Sequence, residues 1–240
     1  MWSTHSRRID PINRSAKPFC QGEGAHVLAA QHQRNPSMQA LTDARSYLLL
    51  AGALLHLYPP RLIAIGGLSG VGKSTVAQAL ACDFLPAPGA RVIRSDVLRK
   101  GLFDVTPETR LPSSDYGSAT TERVYRALHD QATASLAAGY SAIVDATFLR
   151  EEERKGMAAL AERVGVPFIG LWLEASSEVL AARIAARSHD ASDADTRVLR
   201  QQLKVDTGVI GWHRVEAIPD IAVILTAVRA LIHFQTTTSS

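Results

Sequence analysis

Gly67, Gly70 and Gly72 stand just ahead of Lys73, Ser74 and Thr75, with Leu68, Ser69 and Val71 between the glycines. The run fits G-x-x-x-x-G-K-[ST], whose chemistry is phosphate binding. Glycines let successive backbone N–H groups turn inward and ring an anion. A helix beginning at the lysine adds its unpaired N–H groups and positive dipole end. Lys73 carries a compact charge suited to the β- and γ-phosphates, and the Ser74 hydroxyl suits Mg²⁺. Chance produces the pattern in about one chain in a hundred of this length. An apolar strand leads into it here and an Ala-rich helix leads out, as the mechanism requires.

Further chemistry sits after the apolar runs downstream. RVIRS is followed directly by Asp96, with Arg99 three residues on. In an open parallel sheet the C-terminal strand ends share one crevice, so Asp96 is expected to face the phosphate loop. A carboxylate there accepts the proton of an attacking hydroxyl, and Arg99 holds an anionic substrate or the transferring phosphate. Capping of the short following helix accounts for Asp96 equally well. SAIVD ends at Asp145, which suits holding Mg²⁺ directly or through water. Ala146 stands where motor ATPases place a water-polarising Glu, which argues against ATP hydrolysis as the main task. Arg183 and Arg187 lie four apart on one helical face beside a polar loop, which reads as a lid closing on phosphates. The competing reading is a solvated face pairing with Asp190, Asp193 or Asp195. Arg99, Lys100, Arg110 and Tyr116 are candidates for lining an acceptor pocket, one suited to an anionic substrate.

These residues need a scaffold, and the pattern supplies one. From Arg61 onward, apolar strand runs alternate with helical stretches: 62–66, 91–95, 141–145, 167–173 and 221–225 as strands, with helices between and after them. Such alternation predicts an α/β fold with a parallel sheet between two helical layers. Trp172 reads as core, and Trp212 reads as packing rather than nucleotide contact. Ahead of this domain (60–235), residues 1–34 lack periodicity and are expected to form a disordered tail, as are 236–240. Residues 35–59 hold an apolar helix, 36–58, broad enough on its greasy side to need a cover: the main domain, a partner domain or a second copy.

Composition narrows the function classes. The chain has 240 residues, 46% of them hydrophobic and 20% charged, with two cysteines, which fits a globular protein of a reducing compartment rather than a disulfide scaffold. Residues 1–60 carry six positive and three negative side chains, leaving 20 of each sign on 61–240. The main domain therefore shows no basic footprint for nucleic acid. No signal peptide or membrane span is evident, so a cytoplasmic location is expected.

IGGLSGVGKST, RSDVLRKGLF, SAIVDATF, GLWLEAS and VLAARIAARSHDASDAD resemble the small P-loop kinases of the zeta-toxin, gluconate kinase and chloramphenicol phosphotransferase type. The resemblance is closer to the C-terminal kinase-like domain of bacterial tandem proteins whose N-terminal half is aminoglycoside phosphotransferase-like. ALTDARSYLLLAGALL resembles the end of that upstream half. The resemblance implies a P-loop three-layer sandwich, strand order 2-3-1-4-5, with a cap over 101–116 and an Arg lid. It implies ATP and Mg²⁺ as cosubstrates, Asp96 as general base, Arg99 on substrate or phosphate, and Arg183 and Arg187 on phosphate. It names no acceptor beyond a small molecule with a hydroxyl. Two alternatives share these motifs: a nucleotide-binding regulatory module docking through helix 36–58, and a polynucleotide 5′-hydroxyl kinase, which needs a cationic strand groove.

Overall fold

The computed structural model describes residues 38–55, 59–186, 196–217 and 220–237. The tail expected over 1–34 and the helix start at Asn35 and Pro36 lie outside these residues. So do Arg187 and the polar loop after it.

In chain order the elements are α1 (Met38–Leu55), β1 (Leu62–Gly66), α2 (Lys73–Ala81), β2 (Arg91–Arg94) and α3 (Ser95–Gly101). A short 3₁₀ turn (Ser113–Tyr116) precedes α4 (Ser118–Ala137), β3 (Ala142–Asp145), α5 (Glu151–Val164) and β4 (Phe168–Glu174). Then follow α6 (Ser177–Ala185), α7 (Thr196–Gln202), β5 (His213–Glu216) and α8 (Ile221–Thr237). The five strands form one all-parallel sheet in the order β2-β3-β1-β4-β5. This is the α/β fold that the strand–helix alternation predicts, in the three-layer sandwich and strand order that the resemblance implies.

β1 is buried at every position, as a central parallel strand covered on both faces must be. Its alternate side chains go to two cores. Ile63 and Ile65 pack with Val76 and Leu80 of α2, Leu180 of α6 and Val228 of α8. Leu62 and Ala64 pack with Val124 and Leu128 of α4 and Met157 and Leu160 of α5. On that second side Trp212, just before β5, meets Phe148 and Phe168 edge-on, at 5.0 and 5.9 Å between ring centroids. The packing reading of Trp212, and the core reading of Trp172, match what is seen.

One strand assignment is corrected. Ile221–Leu225 is not the fifth strand; it opens α8, and β5 is His213–Glu216. A short apolar run cannot by itself tell a buried strand from a helix. The deciding feature is the length of the apolar stretch: Ile224, Leu225, Val228 and Ile232 are buried at helical spacing while Val223 is exposed. The true edge strand buries only Val215, so it carried no apolar signature. α8 also runs to Thr237, two residues into the segment expected to be tail.

Gly170 of β4 lies directly under the Trp212 ring, where an added Cβ would meet ring atoms at 2.4 to 2.5 Å. Gly170→Ala should therefore lower unfolding free energy by about 1–3 kcal/mol, the usual effect of overpacking. Urea denaturation checks this, and an unchanged midpoint would mean that Trp212 is not seated on the strand.

Candidate active site

The turn between β1 and α2 is built as the glycine pattern requires. Gly67, Gly70 and Gly72 have φ of 131°, 90° and 99°. A Cβ on Gly67 would stand 2.5 Å from the Leu173 carbonyl oxygen, so both conformation and space demand glycine there. Lys73 folds back over its own loop, its Nζ donating to the carbonyls of Gly67 and Leu68 at 3.0 Å each.

Sheet register brings the carboxylate to this turn. Ile65 of β1 and Arg94 of β2 both pair with Asp145 of β3. Asp145 is 5% exposed, and its Oδ2 accepts from the Ser74 hydroxyl at 2.5 Å, with Arg94 Nε 3.5 Å away. A hydroxyl and a carboxylate oxygen in contact are the hard donors Mg²⁺ prefers. Among the described residues no group of three or more His, Cys, Asp or Glu could hold a metal. The donor set thus fits an ion completed by phosphate oxygens, not a dedicated protein cage.

Lys73, Ser74 and Asp145 line a cavity of about 280 Å³ together with Asp96 and Arg99. Arg94 is the N-cap residue of α3, and Asp96 lies in the first turn of that helix. Arg99 is 8% exposed. Its Nη1 donates to the Asp115 carbonyl at 3.2 Å and its Nη2 to Thr121 Oγ1 at 3.5 Å, while its guanidinium lies 4.6 Å over the Tyr116 ring. Tyr116 lines the same cavity; Lys100 and Arg110 do not. Lys100 is buried beneath, with Nζ donating to the Pro107 carbonyl at 2.7 Å.

Arg183 is placed on a different side of the loop. Its Nη1 reaches the Val71 carbonyl at 3.5 Å, and it lines a second opening with Thr75, Ile221 and Ile224.

Sequence reasoning passed over other groups on the main cavity: Thr121, Tyr125, Arg150, Glu153 and Gln202. The Tyr125 hydroxyl accepts from the Phe148 N–H at 3.1 Å. Burial, then the negative charge of Glu153, push this phenol well above its ordinary range, so it stays a neutral hydroxyl. Glu153 also accepts from the Arg150 N–H at the start of α5. The one available signal was spacing: Arg150 and Glu153 follow the Asp145 strand end, as Arg99 follows Asp96.

Behind this wall lies Arg154, 3% exposed. It donates to the carbonyls of Phe148 and Leu149 on one side and of Thr207 and Val209 on the other, and its guanidinium lies 5.7 Å from the Trp172 ring centroid. One cation thereby joins the β3–α5 loop to the segment after α7.

The profile of the AAA_33 family, an AAA domain, matches residues 62–207. The chain belongs to the AAA_33 family. Its phosphate loop, sheet and helices are those of the P-loop kinases. An uncharacterised protein of Mycobacterium tuberculosis is 32% identical over 186 residues, 74% of this chain. The chain spans only 36% of the length of that curated relative. An adenylyl-sulfate kinase of Paraburkholderia xenovorans is 34% identical over 147 residues, 60% of this chain and 71% of its own. Among solved structures, a sugar kinase from Janibacter has a TM-score of 0.51 at 22% identity, covering 72% of this chain and 94% of its own. The Mycobacterium tuberculosis APS kinase in complex with AMPPNP and APS has a TM-score of 0.50 at 20% identity, covering 73% and 98%. At these identities the structural likeness concerns the fold. Among the described residues of this AAA_33 member no helix is long and apolar enough to cross a membrane.

Arg154→Met keeps the volume but leaves Phe148, Leu149, Thr207 and Val209 carbonyls without their donor. Stability should fall by about 3 kcal/mol, the scale for losing hydrogen bonds to a buried charged group. Thermal unfolding of the two proteins checks this; equal midpoints would show that water replaces the guanidinium.

Proposed function

We propose that this protein transfers the γ-phosphoryl group of ATP to a hydroxyl of a small polar molecule. The observation that carries the reading is the shared cavity, which Lys73, Ser74 and Asp145 line together with Asp96 and Arg99. The coarser part, a P-loop kinase fold, follows from the family. The acceptor and the residue roles are the proposal.

In this reading the loop from Gly67 to Thr75 cradles the triphosphate. Lys73 leaves the carbonyls of Gly67 and Leu68 for the β- and γ-phosphates. Arg183, with Ile221 and Ile224 beside it, meets the nucleoside end, so its part lies nearer the base than the transferring group. Ser74 and Asp145 hold Mg²⁺, which neutralises phosphate charge when bound. Asp96 accepts the proton of the acceptor hydroxyl as its oxygen attacks. Arg99, stacked on Tyr116 and tied to Asp115 and Thr121, is a fixed cation beside that hydroxyl. Arg150, Glu153, Tyr125 and Thr121 supply the polar wall that orients the acceptor.

The wall carries the charged groups of Arg99, Arg150 and Glu153 and the hydroxyls of Thr121 and Tyr125, which supports a small polar acceptor. Leu41, Tyr47, Leu48 and Leu49 of α1 are exposed, which supports the expected contact of that helix with a partner domain or a second copy.

A screen of small polar metabolites for ADP release tests the reading. Lys73→Ala should weaken ATP binding and abolish transfer. Asp96→Asn should bind ATP as the wild type does and lose at least about a hundredfold in kcat, the scale of general-base catalysis. Undiminished transfer by Asp96→Asn would remove Asp96 as the base.

A further inference from the structure

Gln202, the last residue of α7, makes two hydrogen bonds to one residue of the phosphate loop. The Ser69 N–H donates to its Oε1 at 2.9 Å, and its Nε2 donates to Ser69 Oγ at 2.9 Å. The orientation of the carboxamide is set by chemistry, because a backbone N–H can face only its oxygen end. The pair joins residues 133 apart in sequence, and Ser69 is itself 7% exposed.

The position of Ser69 along the loop gives the pair its meaning. Thr75 lines only the opening shared with Arg183, Ile221 and Ile224, which the kinase reading gives to the nucleoside; Gly70 and Gly72 line both that opening and the main cavity, and Ser69 lines the main cavity alone of the two. Ser69 lines the cavity shared with Asp96 and Arg99. The Ser69 N–H is therefore the loop donor at the acceptor end, farthest from the base. A diphosphate held by Lys73 and the start of α2 leaves that donor to Gln202. A third phosphate, which must lie between the loop and Asp96 to be transferred, needs it.

We propose that Gln202 makes the phosphate loop discriminate between triphosphate and diphosphate: ATP takes the Ser69 N–H by displacing the carboxamide, and ADP leaves it in place. The displaced side chain has somewhere to go. Gln202 and Val205 also line an adjoining cavity of about 770 Å³, bounded by Leu68, Leu173 and Leu203. Release of Gln202 frees the C-terminal end of α7 from the loop, so α7 reports the third phosphate. The proposal rests on the kinase reading above and adds a residue that sets nucleotide specificity.

Calorimetric titration of the full chain with Mg²⁺–ADP and with a non-hydrolysable Mg²⁺–ATP analogue tests it. Gln202→Ala removes the competitor, so affinity for the ATP analogue should rise by about three- to tenfold, the range for one exchanged hydrogen bond, with ADP within about twofold. Gln202→Glu places a carboxylate against Ser69. It should lower ATP-analogue affinity at least about tenfold, more than it lowers ADP affinity. Hydrogen exchange of the wild type needs no variant: peptides covering 196–202 should lose protection with the ATP analogue and keep it with ADP. An unchanged ATP/ADP ratio in Gln202→Ala, or equal protection of 196–202 with both nucleotides, overturns the role of Gln202 and leaves the kinase reading standing. Wild-type protein that binds neither nucleotide overturns both.

Discussion

The site depends on a register. β1, β3 and β2 run side by side with Ile65 opposite Asp145 and Asp145 opposite Arg94. Ser74, the second residue of the helix that β1 feeds, then meets Asp145 at 2.5 Å. Because side chains alternate faces along a strand, a slip of one residue in β3 would turn Asp145 to the opposite layer. What prevents the slip is the core. Leu62 and Ala64 must face α4 and α5, and Ile63 and Ile65 must face α2 and α8, while Ala142 and Val144 pack on the α4–α5 side. The chemistry at the strand ends is thus placed by apolar contacts deeper in the sheet.

Within this frame the donors of the loop already have acceptors from the chain itself. Lys73 Nζ bonds the Gly67 and Leu68 carbonyls, the Ser74 hydroxyl bonds Asp145, and the Ser69 N–H bonds Gln202. An incoming anion therefore exchanges hydrogen bonds rather than filling vacant ones. The net gain from each exchange is small, on the order of 1 kcal/mol. Attraction must come from charge: the Lys73 ammonium, the N-terminal end of α2 and the converging N–H groups of the glycine turn.

Some of this was legible in the residues and some was not. The phosphate loop, the strand ends carrying Asp96 and Asp145 and all of α5 could be read because each is a local pattern. The strand order came from family resemblance. The fifth strand was misplaced because HRVE at the sheet edge buries one residue, while the apolar IAVIL run has a helical continuation that decides its state. Arg183 was legible as a loop-facing cation, yet only the structure shows that it shares its opening with Ile221 and Ile224 at the start of α8. Gln202 carries no sequence signal, since its meaning comes from contact with a residue 133 positions away. Arg154 reads as one more surface arginine of a charged helix until its burial is seen.

Arg154 also shows how two separately coded walls of the cavity become one. A buried guanidinium is costly unless its donors find oxygens. Here four backbone carbonyls, two from each of two loops, supply them, and the Trp172 ring supplies a negative face. Backbone carbonyls do not depend on side-chain identity, so either loop can change its exposed residues without losing the clasp. The first loop presents Thr147, Leu149 and Arg150 to the cavity, and the second follows Gln202 and Val205. Identity-independent bonds at the back and freely chosen side chains at the front are what a scaffold needs if one phosphate site is to serve different acceptors. The mutual position of the walls is held by Arg154, and the chemistry each wall offers is left to the residues in front of it.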